Sequence, residues 1–276
     1  MSDMTTQELL RAKELYLSGE SLAEIGRQLG HDATTIKRNL ISINVQIRTR
    51  KEQTILTNQK RRKSVNDNYF DNIGVNQAWL MGFLAADGYI GKQVNTIEIS
   101  LSSKDKEILK KIKKEVEIER PIIDKTSNNG FDICKLEWTS KRHKDILATF
   151  GIVNNKTYLP LHLPSFFSDE LKLAFILGFF DGDGSISKYN NYLRFRIVSH
   201  RNEILIDIAT FLQNKYNCTY SLSQDNRGLW ELSISTTYCV KIFKDMYNLN
   251  SLRLDRKYQK FLEYINHETT TSLITG

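Results

Sequence analysis

AWLMGFLAADGYI (residues 78–90) and AFILGFFDGDGSI (residues 174–186) are two versions of one segment, repeated at an offset of 183 − 87 = 96 positions. Each is apolar around its whole circumference until it stops at Asp-Gly, and a helix without a polar face must be buried on all sides. Gly82 with Ala86, and Gly178 with Gly182, set small residues four apart on one face, which lets two helix backbones approach closely. The two copies are therefore expected to pack on each other. Under pseudo-twofold symmetry Asp87 and Asp183 then emerge side by side at the seam, each followed by a glycine, Gly88 or Gly184, of the kind that ends helices.

The offset holds far beyond these segments. Ile97, Ile99 and Leu101 fall on Leu193, Phe195 and Ile197, with the period of two that marks half-buried strands. Glu107, Ile108, Leu109 and Ile112 fall on Glu203, Ile204, Leu205 and Ile208 in a helical stripe. Cys134, Leu136 and Trp138 fall on Trp230, Leu232 and Ile234, and Ile146 falls on Ile242. Each repeat thus reads helix, two strands, helix, two strands, helix, with repeats expected over 69–164 and 165–276. Strand alternation leaves Thr96, Glu98, Ser100, Ser102, Lys135, Glu137 and Thr139 facing outward in the first repeat, and Tyr192, Arg194 and Arg196 in the second.

Two carboxylates at helix C-termini face the negative dipole end and repel each other, so something cationic must offset them. A hard divalent metal with oxygen ligands, Mg²⁺ or Mn²⁺, suits such a pair, and two acids around metal suit phosphodiester hydrolysis.

LMGFLAADG (80–88) and ILGFFDGDG (176–184) resemble the two motifs of a single-chain LAGLIDADG homing endonuclease, over roughly residues 69 to 265. The resemblance implies an α+β fold, a tandem αββαββα pseudo-dimer whose antiparallel sheets form a saddle over double-stranded DNA. It implies that the last acid of each motif, Asp87 and Asp183, binds metal and directs water. Ala85 stands where the second motif has Asp181, a position that is not the metal ligand in the family. The resemblance also implies a basic residue late in each repeat: Lys156 in the first, and in the second Arg256 or Lys257, with Lys257 favoured, because the offset itself lands on Leu252. A lysine near the scissile phosphate would orient or activate water and offset transition-state charge. Under this fold the outward strand residues, Tyr192, Arg194, Arg196 and Lys135 among them, meet base edges in the major groove.

Residues 5 to 45 read as three short helices with Ser21 and Asp32 as N-caps and Gly30 at the turn before the third. SLAEIGRQLGHDATTIKRNL (21–40) resembles a helix-turn-helix, with Asn39 at a position such motifs keep apolar. In that reading His31, Thr34, Thr35, Lys37 and Arg38 face DNA. A DNA-binding domain is expected over 1–47. The bases between Arg48 and Lys63, including Arg61 and Arg62, meet one acid, Glu52; the stretch 48–68 reads as a basic linker able to track phosphates.

Composition fits. The 276 residues are 40% hydrophobic and 26% charged, which excludes wholesale disorder, and 39 Lys+Arg against 32 Asp+Glu give +7, an excess favouring polyanionic partners. Three scattered cysteines without metal spacing suggest free thiols in a cytosol, or its phage or organelle equivalent, and no apolar run reaches membrane-span length. No Gly-rich phosphate loop or paired histidine points to a nucleotide, a heme or a nucleophilic serine. The chain is expected to be a monomeric, site-specific DNA endonuclease. Two alternatives use the same scaffold: a DNA-binding regulator that has lost catalysis, and a maturase binding intron RNA. Retention of both acids favours the nuclease.

Overall fold

A computed structural model describes residues 4–61, 64–126, 130–154, 159–189, 192–235, 238–249 and 251–274, with only the backbone described for 57–61, 188, 189, 192, 235 and 267–274. Internal contacts divide the chain into two units, Met1–Lys63 and Ser64–Gly276.

The first unit has three helices, α1 (Thr6–Leu17), α2 (Leu22–Leu29) and α3 (Ala33–Ser42), around Ala12, Tyr16, Ile25, Ile36 and Leu40. Ser21 and Asp32 are the N-caps, accepting from the amides of Glu24 and Thr35, and Gly30 takes the left-handed conformation (φ 74°) that stops α2. Asn39 is accommodated at its half-buried place because its amide donates back to the Thr35 carbonyl at 3.0 Å.

Two features depart from the expected linker. Residues Arg50–Arg61 form a helix, α4, although no apolar stripe foretells it. Its start is a capping box: the Thr49 hydroxyl accepts from the Glu52 amide at 3.2 Å, and the Glu52 carboxylate accepts from the Thr49 amide at 2.7 Å. Arg48 is also no free phosphate tracker. It lies 3.9 Å over the Tyr16 ring and donates to the carbonyls of Tyr16 and Glu20 at 2.7 and 2.8 Å.

The second unit repeats one order twice: α5 (Val75–Asp87), β1 (Gly88–Ile90), β2 (Thr96–Ser102), α6 (Lys106–Glu115), β3 (Ile123–Thr126), β4 (Asp132–Thr139), α7 (Lys141–Thr149), then α8 (Asp169–Asp183), β5 (Gly184–Tyr189), β6 (Tyr192–Ser199), α9 (Asn202–Tyr216), β7 (Ser221–Gln224), β8 (Trp230–Ser235), α10 (Tyr238–Tyr247). A further helix, α11 (Asp255–Ile274), follows. The strands make two antiparallel four-stranded sheets of matching order, β1-β2-β4-β3 and β5-β6-β8-β7. This is the tandem αββαββα pseudo-dimer expected from the duplication. One apolar core unites both repeats, and α5 and α8 lie at its centre with Ala78–Ala85 and Leu173–Asp181 buried.

The stretch 64–70 belongs to this unit and is not linker. The Ser64 amide donates to Glu119, the Ser140 hydroxyl donates to Asp67 at 2.5 Å, and Tyr69 and Phe70 are core residues. His143 is a satisfied core histidine, its Nδ1 accepting from the Trp138 indole at 3.1 Å and its Nε2 lying 2.8 Å from the Asn66 carbonyl. All three cysteines are buried free thiols. Among the described residues no helix is long and apolar enough to cross a membrane.

Candidate functional site at the helix seam

Because nothing polar interrupts α5 or α8 before their ends, the helices can meet backbone to backbone, and glycine lets them. A Cβ on Gly82 would stand 2.0 Å from the Phe175 carbonyl oxygen, and one on Gly178 would stand 1.9 Å from that of Trp79. The symmetry of these two contacts brings the helix ends together. Asp87 and Asp183 are the last helical residues, and a Cβ on Gly182 would lie 3.3 Å from the Asp87 carboxylate, so the first acid sits against the second helix. Asp87 is exposed and Asp183 half-buried, leaving both within reach of solvent.

Gly88 and Gly184 differ from the expected left-handed helix stops: their φ values are −74° and −96°. The chain passes straight from helix into β1 and β5. Glycine is needed for clearance, since a Cβ would meet the Leu84 carbonyl at 2.7 Å or the Phe180 carbonyl at 2.5 Å.

The protein itself supplies part of the positive charge that the helix ends demand. Lys257, 3% exposed, donates to the carbonyls of Phe180, Asp181 and Gly184 at 2.6, 2.7 and 2.6 Å, capping α8. The family resemblance implies a place at the scissile phosphate for this lysine. Here its protons are committed to backbone oxygen, because the ammonium is buried where an α-helix leaves its last carbonyls without partners. Burial pulls its pKa down to about 8, against the opposing pull of Asp181, Asp87 and Asp183. Lys156 and Arg62 lie outside the described residues.

Two further groups shape the site: Arg201, which the sequence does not single out, and Asp181, which it names only as a motif position that is not the metal ligand. Arg201, 7% exposed, caps the other helix: its Nη2 donates to the Ala85 carbonyl at 2.9 Å, and the charge of Asp183 favours its protonated form against the opposing effect of burial. The duplication hid it, since position 201 falls on Asp105. Asp181 accepts from the Trp79 indole at 3.0 Å and from the Leu254 amide at 2.9 Å, and burial raises its pKa to about 6.

These shifts set a pH dependence. Lys257 titrates at about 8 folded against 10.5 ordinarily, so between those values the unfolded chain binds the extra proton and stability rises with pH. Asp181, at about 6 against 3.8, acts oppositely: its contribution is full below pH 3.8 and lost as pH rises through 6. Urea midpoints of the wild type should therefore climb from pH 8 towards 10.5 relative to Lys257→Met. Parallel pH profiles for the two proteins would contradict this assignment.

The outward strand residues stand on the expected faces. Lys135 bridges Glu98 at 2.6 Å and Glu137 at 3.1 Å, and Arg120 also pairs with Glu137. Arg194 donates to Ser233 at 2.8 Å, while Arg196 reaches Glu231 at 2.5 Å and holds that carboxyl below its usual range. The side chains of Tyr192 and Arg61 lie outside the described ones. In the first unit Thr34, Lys37 and Arg38 are exposed on α3. Thr35 is not open in the same way, because both its amide and its hydroxyl donate to Asp32, at 2.8 and 2.7 Å.

A family model described as a LAGLIDADG-like domain matches residues 74–148 and 170–248. An uncharacterized protein of Methanocaldococcus jannaschii is 25% identical over 198 residues, covering 68% of this chain and 69% of that protein. Among solved structures, I-DmoI in complex with DNA and Ca is 16% identical with a TM-score of 0.47, covering 71% of this chain and 98% of that one. The N-terminal LAGLIDADG domain of DUF199/WhiA is 17% identical with a TM-score of 0.44, covering 71% and 92%.

Proposed function

Starting from the fact that this chain belongs to the family of LAGLIDADG-like domains, we propose that it is a site-specific endonuclease hydrolysing double-stranded DNA with a divalent metal held by Asp87 and Asp183. The observation that carries this reading is the seam itself, where two backbone contacts through glycine bring two solvent-reachable acids to one place.

The donor set fits a hard cation: the acids are oxygen donors on rigid helix ends. Among the described residues no group of three or more His, Cys, Asp or Glu could hold a metal ion, so two carboxylates would share the coordination with water and DNA oxygens. Bound metal would stabilise charge on the attacking and leaving oxygens of the phosphodiester. Asp87 and Asp183 orient the water that adds across the P–O bond, its hydroxyl going to phosphorus and its proton to the leaving oxygen. Lys257 and Arg201 hold the ends of α8 and α5, and with them the spacing of the acids. Arg194, Arg196 and Lys135 exchange their intramolecular partners for bases and phosphates, and Thr34, Lys37 and Arg38 give the N-terminal helices a second DNA contact.

The decisive experiment is incubation with duplex from the chain's own locus without any insertion, in Mg²⁺ or with metal chelated. Mg²⁺-dependent double-strand cleavage supports the proposal; binding without cleavage would point to a regulator instead.

Deleting residues 1–63, and not 1–68, should leave the acids, both sheets and the Ser64 and Asp67 contacts intact. The truncated protein should cut the same bonds with lower affinity, a shallower salt dependence and a footprint shortened at one end. Identical footprints and salt slopes would show that the N-terminal helices do not touch DNA.

A further inference from the structure

A cavity of about 200 Å³ opens beside Asp183, with Ala86, Ser199, His200 and Arg201 also on its walls. Arg201 is more than nine-tenths buried, and although its Nη2 caps α5, its Nη1 is buried without any hydrogen-bond partner. A guanidinium N–H withdrawn from water and left unpaired is costly, and such groups in folded proteins have an acceptor that completes them. Asp183 shares the cavity, yet no hydrogen bond from Nη1 reaches it. No acceptor within the protein meets Nη1, and a planar donor fork on the wall of this cavity suits a small anion entering from outside.

The two halves of the seam differ here. The offset that aligns the acids puts Asp105 at the place of Arg201, and Asp105 is already paired with Arg256 at 3.1 and 3.2 Å. A carboxylate engaged by its own cation offers nothing to an incoming anion. The cation at the matching place in the second repeat does.

We propose that Arg201 is a phosphate-binding residue of the Asp183 half of the site, its Nη1 donating to a non-bridging oxygen of a backbone phosphate on the single DNA strand served by that half. The inference rests on the endonuclease reading for its effect on cleavage, but not for its effect on binding. A phosphate in this cavity has Asp183 as a like-charged neighbour, and Arg201 supplies the opposite charge from the protein side. The two strand cuts are then unequal, because the first repeat has no matching guanidinium at position 105.

The test uses full-length protein and a duplex recovered from a randomised pool by binding to the wild type. Affinity is measured against salt without divalent cation, and cleavage of each separately labelled strand is followed in Mg²⁺. Arg201→Met should flatten the slope of log affinity against log salt by about 0.9, the value for one phosphate contact. It should also slow cleavage of the strand served by the Asp183 half by about tenfold more than the other, beyond any loss that both strands share from release of the Ala85 carbonyl. Arg201→Lys should restore the slope. If Arg201→Met does not fold, Arg201→Gln, which keeps an amide N–H for the Ala85 carbonyl, replaces it. An unchanged slope, or equal loss on both strands, overturns the proposal and leaves Arg201 as a helix cap. If the wild type binds but cuts neither strand, the endonuclease reading fails while the slope still decides for or against Arg201. Recovery of no duplex by the wild type overturns both.

Discussion

Replacing either Asp87 or Asp183 by Asn should abolish double-strand cleavage, lowering the rate on the order of a thousandfold or more, while leaving DNA affinity within about tenfold, or ~1.4 kcal/mol. The asymmetry between the two effects follows from where the residues stand. Each acid ends a helix at the seam and carries no role on the outward strand faces, where Arg194, Arg196 and Lys135 lie. Asparagine keeps the size of the side chain and removes its charge, so a metal ligand is lost without a cavity. Gel-shift and cleavage assays on the same preparation separate the two quantities. Wild-type cleavage by either variant in Mg²⁺ would remove the acids from the mechanism.

The largest effect on stability is expected at the glycines. Gly82→Leu or Gly178→Leu, and even alanine at either place, puts a Cβ about 2 Å from a carbonyl oxygen of the facing helix. Backbone cannot give way as a flexible side chain can, and both helices are buried along most of their length. The cost should be about 3 kcal/mol or more, enough to unfold or aggregate the second unit. Differential scanning calorimetry reads it directly. An unchanged melting temperature for both variants would mean that α5 and α8 do not touch, and the convergence of the acids would lose its basis.

Much of this was legible in the sequence because the signals were periodic and doubled. A helix greasy on all faces has one destination, and the 96-residue offset fixed which strands and helices correspond. Caps were equally readable at Ser21, Asp32 and Gly30, where local chemistry alone decides the backbone. Most of what escaped depended on a partner distant in sequence. Arg48 looks like one more base in a basic run until Tyr16 folds beneath it. Helix α4 has no apolar stripe, though its Thr49–Glu52 capping box was present to be read. Lys257 was located but its surroundings were not: only the fold brings the end of α8 to the start of α11, and with it four carbonyls around one ammonium. Arg201 was obscured by the very duplication that revealed the acids, since a comparison between repeats rewards likeness and position 201 opposes Arg to Asp.

Anomalous scattering from crystals of the protein with bound duplex and Mn²⁺ would locate any divalent cation that Asp87 and Asp183 together hold at the seam. The expected result is an anomalous peak in contact with both carboxylates, absent when both residues are asparagine. Manganese that binds elsewhere, with no peak between these two acids, would contradict it.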